Sequence, residues 1–186
     1  NALYALSIAA VGIVIYVAIR FEWRMGLGAI ISLVHDVFFM VAIFSLLRME
    51  VDITFVAAVL TIVGYSINDT IVTFDRIREN VDRSGVISTK EDLANIVNKS
   101  LRQTMARSIN TVLTVIVVVV ALVFLGAPSI QGFSIALLIG LVTGMYSSIC
   151  IAVQVWYSLK SSQMKKSGGQ VVKKEKKQWG SDEPVV

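Results

Sequence analysis

The feature that most constrains this chain is a run of 52 consecutive residues, 108–159, that contains no Lys, Arg, Asp or Glu. Three further runs carry at most one charged residue each: 1–19, 25–47 with Asp36, and 53–74 with Asp69. A helix that crosses the hydrocarbon core of a bilayer needs about 20 mostly apolar residues. The four runs therefore predict helices that span a membrane.

The longest run exceeds one span, and Gly126-Ala127-Pro128-Ser129 inside it is a turn signal. We therefore expect five transmembrane helices, at about 1–19, 26–47, 53–74, 106–125 and 132–159. Hydrophobic residues make up 55% of the chain and charged residues 16%, which excludes a disordered chain and an ordinary soluble enzyme. The predicted fold class is all-α, an integral membrane helical bundle.

The basic residues predict the orientation of the bundle. If the N-terminus lies outside, 16 of the 17 Lys and Arg residues fall on the inner side, and only Arg48 lies outside. This distribution follows the positive-inside rule. The run 1–19 lacks an initiator Met and a basic leading region, so it predicts a true span in a longer protein and not a signal peptide.

The segments between and after the spans are polar. In the inner connector 75–105, a break at Arg83-Ser84-Gly85 and a capping box from Ser88 to Glu91 predict a separate amphipathic helix at the membrane interface. It serves either as a plain connector or as a docking surface. The tail 160–186 is basic and lacks apolar periodicity, which predicts a flexible cytoplasmic segment that contacts anionic lipid. No motif for nucleic-acid binding occurs.

Small residues recur every four positions in the last predicted span: Gly132, Ala136, Gly140, Gly144 and Ser148. Such a stripe lets a neighbouring backbone approach closely, as helices do in lipid. It predicts either ordinary helix packing or a surface on which helices slide. The same spacing in 25–47 ends at Asp36, so that face is expected to look into the bundle.

Ionisable side chains within spans are costly and mark a function or a buried pair. The candidates are Asp36 beside His35, Asp69 beside Asn68, and Arg107 at the start of the fourth span. At about 1.5 Å of helix rise per residue, Asp69 and Arg107 lie roughly 24 and 27 Å from the outer ends of their spans, nearly level. The placement predicts either a proton path or a static Asp–Arg pair. His35 joins the path or is a plain hydrogen-bond partner.

The sequence does not support an enzymatic function. No Gly-x-Ser-x-Gly, His-Glu-x-x-His or phosphate-binding loop is present, and one His with one Cys makes a metal site unpromising. Two aspartates on different helices occur in intramembrane aspartyl proteases, but no Gly-x-Gly-Asp motif accompanies them here. We therefore expect no enzyme activity, no cofactor and no metal, and work that is driven by a gradient or a partner.

Four stretches resemble the SecF family of protein-export membrane subunits. They are the run from Val63 to Asn80 with Gly-Tyr-Ser-Ile-Asn-Asp-Thr, Arg20-Phe21-Glu22-Trp23-Arg24, Leu33-Val34-His35-Asp36-Val37, and Arg107-Ser108-Ile109-Asn110-Thr111. The resemblance covers about residues 1–159. It implies a SecF-like half of a bundle of the resistance–nodulation–division type, in a bacterial or archaeal cell membrane.

The resemblance also implies a function. SecF acts with SecD, as a separate subunit or fused upstream, and uses a proton or sodium gradient to draw preproteins through the SecYEG channel after SecA. It implies roles in the proton path for Asp69 and Arg107. Protonation of Asp69 is expected to weaken its pairing with Arg107. The family's first span and extracytoplasmic domain have no counterpart in the sequence. The alternatives are a cation-coupled exporter of small molecules and a purely structural membrane subunit.

Overall fold

The protein folds into a bundle of long helices. Its structure is a computed structural model, which describes residues 22–85, Ile87 and 89–166, with Tyr4, Ile8, 11–13, 15–17 and Ile19. The helices are α1 (Trp23–Leu46), α2 (Ile53–Arg83), α3 (Lys90–Leu125), α4 (Pro128–Ser147), a π-helical turn (Ser148–Ala152) and α5 (Val153–Lys166). Every regular element in the described part of the chain is helical, which confirms the predicted all-α class.

Four segments in the described ranges are long and apolar enough to cross a membrane. They are α1, α2, α3 and the continuous stretch Pro128–Met164. The described residues of the predicted first span are helical. The other residues of that span, with Arg20, Phe21 and the tail from 167 to 186, lie outside the described residues.

Local signals set the helix ends. Asp52 caps α2, because its Oδ1 accepts a hydrogen bond of 3.0 Å from the backbone N–H of Phe55. Gly85 follows α2 with a φ of +69°, a conformation that glycine adopts at little cost. Pro128 opens α4 at a position where its missing N–H costs no hydrogen bond.

The capping box of α3 is one residue later than predicted. Thr89, not Ser88, is the N-cap, and its hydroxyl accepts a 3.0 Å hydrogen bond from the backbone of Asp92. The Asp92 carboxylate in turn accepts from the backbone of Thr89 at 3.1 Å. The run Ser-Thr-Lys-Glu-Asp fits the three-residue spacing in two registers, and the structure adopts the second.

The expectation of a separate interfacial helix before the fourth span is wrong. Residues 90–105 form the first part of α3, and α2 continues to Arg83, since neither 75–83 nor 90–107 contains a Gly or Pro that would end a helix. The apolar side chains Leu93, Ile96 and Val97 are buried in the bundle core and do not lie on a membrane surface.

The predicted tail also begins in a helix. Residues 160–166 continue α5, and Ser161 and Met164 are buried. Lys160 pairs with Glu22 at 3.6 Å, which joins the end of α5 to the start of α1. Helix-compatible residues and the absence of Gly before Gly168 account for the extension.

The central helix is α4, which packs against α1, α2 and α3. At Gly140, a Cβ atom would collide with the Ile62 side chain of α2, so glycine permits this close approach. At Gly28, a Cβ atom would lie 2.6 Å from the Ala152 carbonyl oxygen, so α1 packs directly on the backbone of the π-helical turn. Both contacts require the small residues that favour helix packing in lipid.

The bundle has two apolar cores. The first, at the basic end, contains Met25 and Ala29 of α1 and Phe74 and Ile77 of α2, closed by Trp156. The second is built from Met40, Phe44, Phe55, Ile62, Val112, Val119 and Leu141. The helices α1, α2 and α3 each pass from one core to the other, and so does the stretch 128–164. Each of these four segments therefore crosses the level between the cores.

Candidate functional site

A set of polar side chains, all buried except the half-buried Asp69, lies where the helices pass from one core to the other; we call it the polar layer. Its members are Ser32, Asp36, Ser66, Asp69, Thr70, Thr73, Ser108, Ser147 and Ser148. All are hydroxyl-bearing residues except the two aspartates. Polar groups in a bundle interior at membrane depth are costly unless they are hydrogen-bonded, so this layer is the candidate functional site.

Hydroxyl pairs join the helices across the layer. Ser32 of α1 donates to Ser147 of α4 at 3.0 Å, and Thr70 of α2 donates to Ser148 at 3.0 Å. Ser148 also donates to the backbone carbonyl of Ser66 at 3.3 Å. The π-helical turn thus begins at a residue that is bonded to α2, and such turns occur frequently at functional sites.

Asp36 is completely buried, between α1, α2 and α4. Its Oδ2 accepts a hydrogen bond of 2.6 Å from the Ser66 hydroxyl, and its Oδ1 lies 3.3 Å from Nδ1 of His35. The His35 side chain is 30% exposed and stacks on Phe39 with ring centroids 5.6 Å apart. Asp36 therefore connects the interior of the polar layer with a half-exposed imidazole on the outer face of α1.

Asp69 is on α2 and faces α3. Ser108 donates a short hydrogen bond to its Oδ1, while its Oδ2 is buried and has no hydrogen-bond partner among the described residues. This carboxylate borders a cavity of about 80 Å³ that is also lined by Ser66, Asn68, Arg107 and Gly144. A cavity of this size has room for water beside an unsatisfied carboxylate oxygen.

The structure brings Arg107 to the same cavity as Asp69, although it does not make the expected direct pair. Asp69 and Arg107 are not among the ion pairs of the described residues. Consecutive helix residues point about 100° apart. Ser108 faces the interior at 2% exposure, whereas the Arg107 side chain is exposed beside the cavity.

A second cavity of about 350 Å³ adjoins the first towards the basic end. Val72 and Arg107 line both cavities. Arg76 borders the second cavity, donates to Gln103 at 2.8 Å and pairs with Glu79 at 2.5 Å. Arg107 therefore stands between the polar layer and an open, charged cavity at the end of the bundle.

The other predicted site residues lie at the first cavity or along α4 and the π-helical turn. Asn68 is exposed and lines the first cavity. Of the small residues in α4 and the π-helical turn, Ala136, Gly140, Gly144 and Ser148 are buried and Gly132 is half-buried. The described residues contain no group of three or more His, Cys, Asp and Glu side chains that could hold a metal ion.

Sequence reasoning missed the direct contact of Ser108 with Asp69. A signal for it exists, because Ser100, Thr104 and Ser108 place hydroxyls on one face of α3 at a spacing of four, and all three are buried. This stripe predicts an inward polar face that leads from the basic end of α3 to the Asp69 carboxylate.

Comparisons with known proteins agree over most of the chain. A family model described as protein export membrane protein SecD/SecF, C-terminal, matches residues 1–162. The protein translocase subunit SecDF of Bacillus subtilis is 59% identical over 170 residues, covering 91% of this chain and 23% of that protein. The protein translocase subunit SecF of Alicyclobacillus acidocaldarius is 57% identical over 169 residues, covering 90% of this chain and 54% of that protein.

Solved structures resemble the fold as well. The crystal structure of SecDF from Thermus thermophilus, a translocon-associated membrane protein, superposes with a TM-score of 0.78 and 40% identity, over 86% of this chain and 22% of that one. The chain thus spans about a quarter to about half of the length of the curated relatives named above. The family model and the identity to these relatives show that the chain belongs to the SecD/SecF family of protein export membrane proteins, and that it corresponds to the C-terminal part of SecF.

Proposed function

We propose that this chain is the membrane part of a cation-driven motor that acts with SecD in late preprotein translocation through SecYEG, after SecA. Protons, or sodium ions in the alternative, enter the polar layer and bind at Asp69. The observation that carries the proposal is the Asp69 carboxylate, which lies beside a cavity with one oxygen held by Ser108 and the other unpaired within the described part of the chain. Relatives that are named translocase subunits support the export role.

Arg107 is proposed to regulate this binding site. It lines the cavity of Asp69 and the charged cavity beyond, so a small shift of α3 relative to α2 changes its distance from the carboxylate. Protonation of Asp69 weakens its attraction to Arg107. The helices then shift, and the shift is passed to the parts of the motor outside the membrane.

SecD is proposed to cover the open side of the site. The surface of α2 and α3 at this level carries exposed polar side chains, among them Tyr65, Asn68, Arg107, Asn110 and Thr114. Polar and charged groups at membrane depth face a bundle interior and not lipid. A second helical bundle that brings its own polar groups therefore fits this face, which supports SecD as the partner.

The test replaces Asp69 in the full-length protein together with SecD. Asp69→Asn is expected to abolish gradient-dependent export and proton flux while the complex with SecD still forms. Glu91→Gln, which removes an acidic charge at the exposed start of α3, is the matched control and retains both activities. Normal export by Asp69→Asn would refute the mechanism. If the protein exports a drug-like molecule, the small-molecule exporter is favoured. If Asp69→Asn leaves the proton flux unchanged, the purely structural subunit is favoured.

We also propose that the basic end of the bundle faces the cytoplasm, with the start of this chain outside. In a Cys150→Ser background, a cysteine at Ser84 would be protected from a membrane-impermeant maleimide in intact cells, and one at Glu50 would be labelled. Both positions are exposed, at opposite ends of α2. The reverse labelling pattern would overturn this orientation.

A further inference from the structure

We propose that Asp36 is a second proton-binding carboxylate, connected to the Asp69 cavity through the hydroxyl of Ser66. The inference rests on the proposed proton coupling and adds to it a residue, Ser66, that passes protons between two helices. It makes the polar layer a relay with two carboxylates in series, one on α1 and one on α2.

The position of Ser66 connects the two carboxylates. Its side chain lines the same cavity as Asp69, which lies three residues further along α2. On its other side, its hydroxyl donates to Oδ2 of Asp36 at 2.6 Å. A single hydroxyl group therefore touches both the cavity and the buried carboxylate.

Gly144 of α4 places no side chain between Asp36 and the cavity. A Cβ atom on Gly144 would lie 3.8 Å from Asp36 Oδ2 and 3.6 Å from Ser66 Oγ, and Gly144 itself is part of the cavity wall. The glycine thus leaves the approach from the cavity to the carboxylate clear. An alanine at this position would add a methyl group there at ordinary van der Waals distance.

A carboxylate is more than helix packing requires at this place. One turn away on α1, Ser32 links to Ser147 of α4 with two neutral hydroxyls, which is sufficient to join helices. An ionised carboxylate costs more to bury at membrane depth than a neutral hydroxyl does. A group that must bind and release a proton accounts for this cost, and an inert helix contact does not.

The transfer balances without a further reactant. The Ser66 O–H bond breaks as an O–H bond forms on ionised Asp36, and Ser66 regains a proton from water in the cavity. The water then regains a proton from Asp69. The net change is one proton moved from Asp69 to Asp36. The titratable and charged groups around the path are His35, Tyr65, Asp69 and Arg107, since 128–159 carries no charge.

The experiment measures proton flux against pH in vesicles that contain the full-length protein assembled with SecD. Ser66→Ala removes the relay hydroxyl, and Ser134→Ala removes an equally buried hydroxyl that lies outside the polar layer and bonds to a backbone carbonyl of its own helix. We expect Ser66→Ala to lower the flux about tenfold or more and to change its pH profile. Ser134→Ala stays within about twofold of the unaltered protein, and Asp36→Asn matches Ser66→Ala.

The outcomes separate this inference from the proposed function. If Ser66→Ala and Asp36→Asn conduct normally while Asp69→Asn is inactive, the second carboxylate is refuted and the proposed function stands. If Asp69→Asn conducts normally, the proposed function itself fails. If Ser134→Ala lowers flux as much as Ser66→Ala with an equal loss of thermal stability, the Ser66 hydroxyl is merely structural. If Ser66→Ala fails to assemble with SecD, the proton flux of Asp36→Asn tests the relay, because this variant still offers Ser66 a hydrogen-bond acceptor.

Discussion

Ser108 of α3 donates its hydroxyl to the Asp69 carboxylate of α2, and this is the direct side-chain contact that the structure gives to Asp69. Arg107, the neighbour of Ser108, reaches only the shared cavity. The hydrogen bond holds one carboxylate oxygen in place and leaves the other for a cation or water. The orientation of the binding group thus depends on a neutral residue, while the charge of Arg107 acts from a distance.

The first prediction concerns this hydroxyl. Ser108→Ala should lower gradient-driven export about tenfold or more, because a hydrogen bond to a charged group is worth roughly 1.5–3 kcal/mol. Ser108→Thr, which keeps the hydroxyl, should retain most of the activity. Ser134→Ala is the matched control, since that buried hydroxyl of α4 bonds only to a backbone carbonyl of its own helix among the described contacts. Equal losses in Ser108→Ala and Ser134→Ala would contradict a role in holding Asp69.

The second prediction concerns the close contact of α4 with α2. Gly140→Ala places a methyl group against the Ile62 side chain and should destabilise the protein by about 1–3 kcal/mol. Gly132→Ala is the control in the same stripe, since a Cβ atom there meets no heavy atom within 4 Å. Thermal unfolding of both variants in detergent measures the difference. A tolerated Gly140→Ala would mean that these helices are not packed at this distance.

The third prediction concerns the basic ends of α2 and α3. Asn80 is buried and donates to the Ser100 hydroxyl at 2.8 Å and to the Gln103 side chain at 2.9 Å. Asn80→Ala should cost about 1–3 kcal/mol of stability, because the buried Ser100 hydroxyl loses its donor and the buried amide is removed. The exposed Asn98 of α3 provides the control, and Asn98→Ala should unfold at the same temperature as the unaltered protein.

The fourth prediction is a pH dependence at the opposite end of the bundle. Hydrogen bonds from the Thr54 hydroxyl and from the Phe55 backbone lower the pKa of Asp52 from its ordinary value of 3.8. Because the folded pKa lies below the unfolded one, the cap stabilises the protein above about pH 4 and its contribution is lost as the pH falls through the folded pKa. Asp52→Ala should therefore melt below the unaltered protein at neutral pH, with a gap that closes on acidification.

Melting temperatures of the two proteins between pH 7 and acid test this sign. Glu50→Ala, in the same loop, removes an exposed acid that caps no helix and should leave the melting temperature unchanged at every pH. A gap between Asp52→Ala and the unaltered protein that widens on acidification would contradict the capping role.

Hydropathy predicted which segments cross the membrane, because a spanning helix must be apolar over a set length, and helix rise brought Asp69 and Arg107 to one level. Neither hydropathy nor helix rise predicts that Ser108, and not Arg107, contacts Asp69. A difference of one residue turns a side chain by about 100°, and that rotation is set by how α3 packs on α2. The contact between Ser66 and Asp36 depends in the same way on two helices that are distant in sequence.

Hydropathy also misplaced the helix ends. It marks where apolar character stops, and so it ended the third predicted span at Phe74 and began the fourth at about Ala106. The helices themselves end at Arg83 and begin at Lys90, where Gly85 and the Thr89 cap interrupt the backbone. Polar residues that form good helices carry α2 and α3 beyond the apolar region.

The division of the bundle into two apolar cores with a polar layer between them has an electrical consequence. A membrane voltage falls mainly across regions of low dielectric, and here those are the two cores. A charge that moves from one end of the bundle to the polar layer therefore crosses only part of the voltage, out of about 2.3 kcal/mol per 100 mV for a full crossing. Under the proposed mechanism, the energy of each ion would be taken up in two stages, with the polar layer as the midpoint at which the voltage acts on the helices.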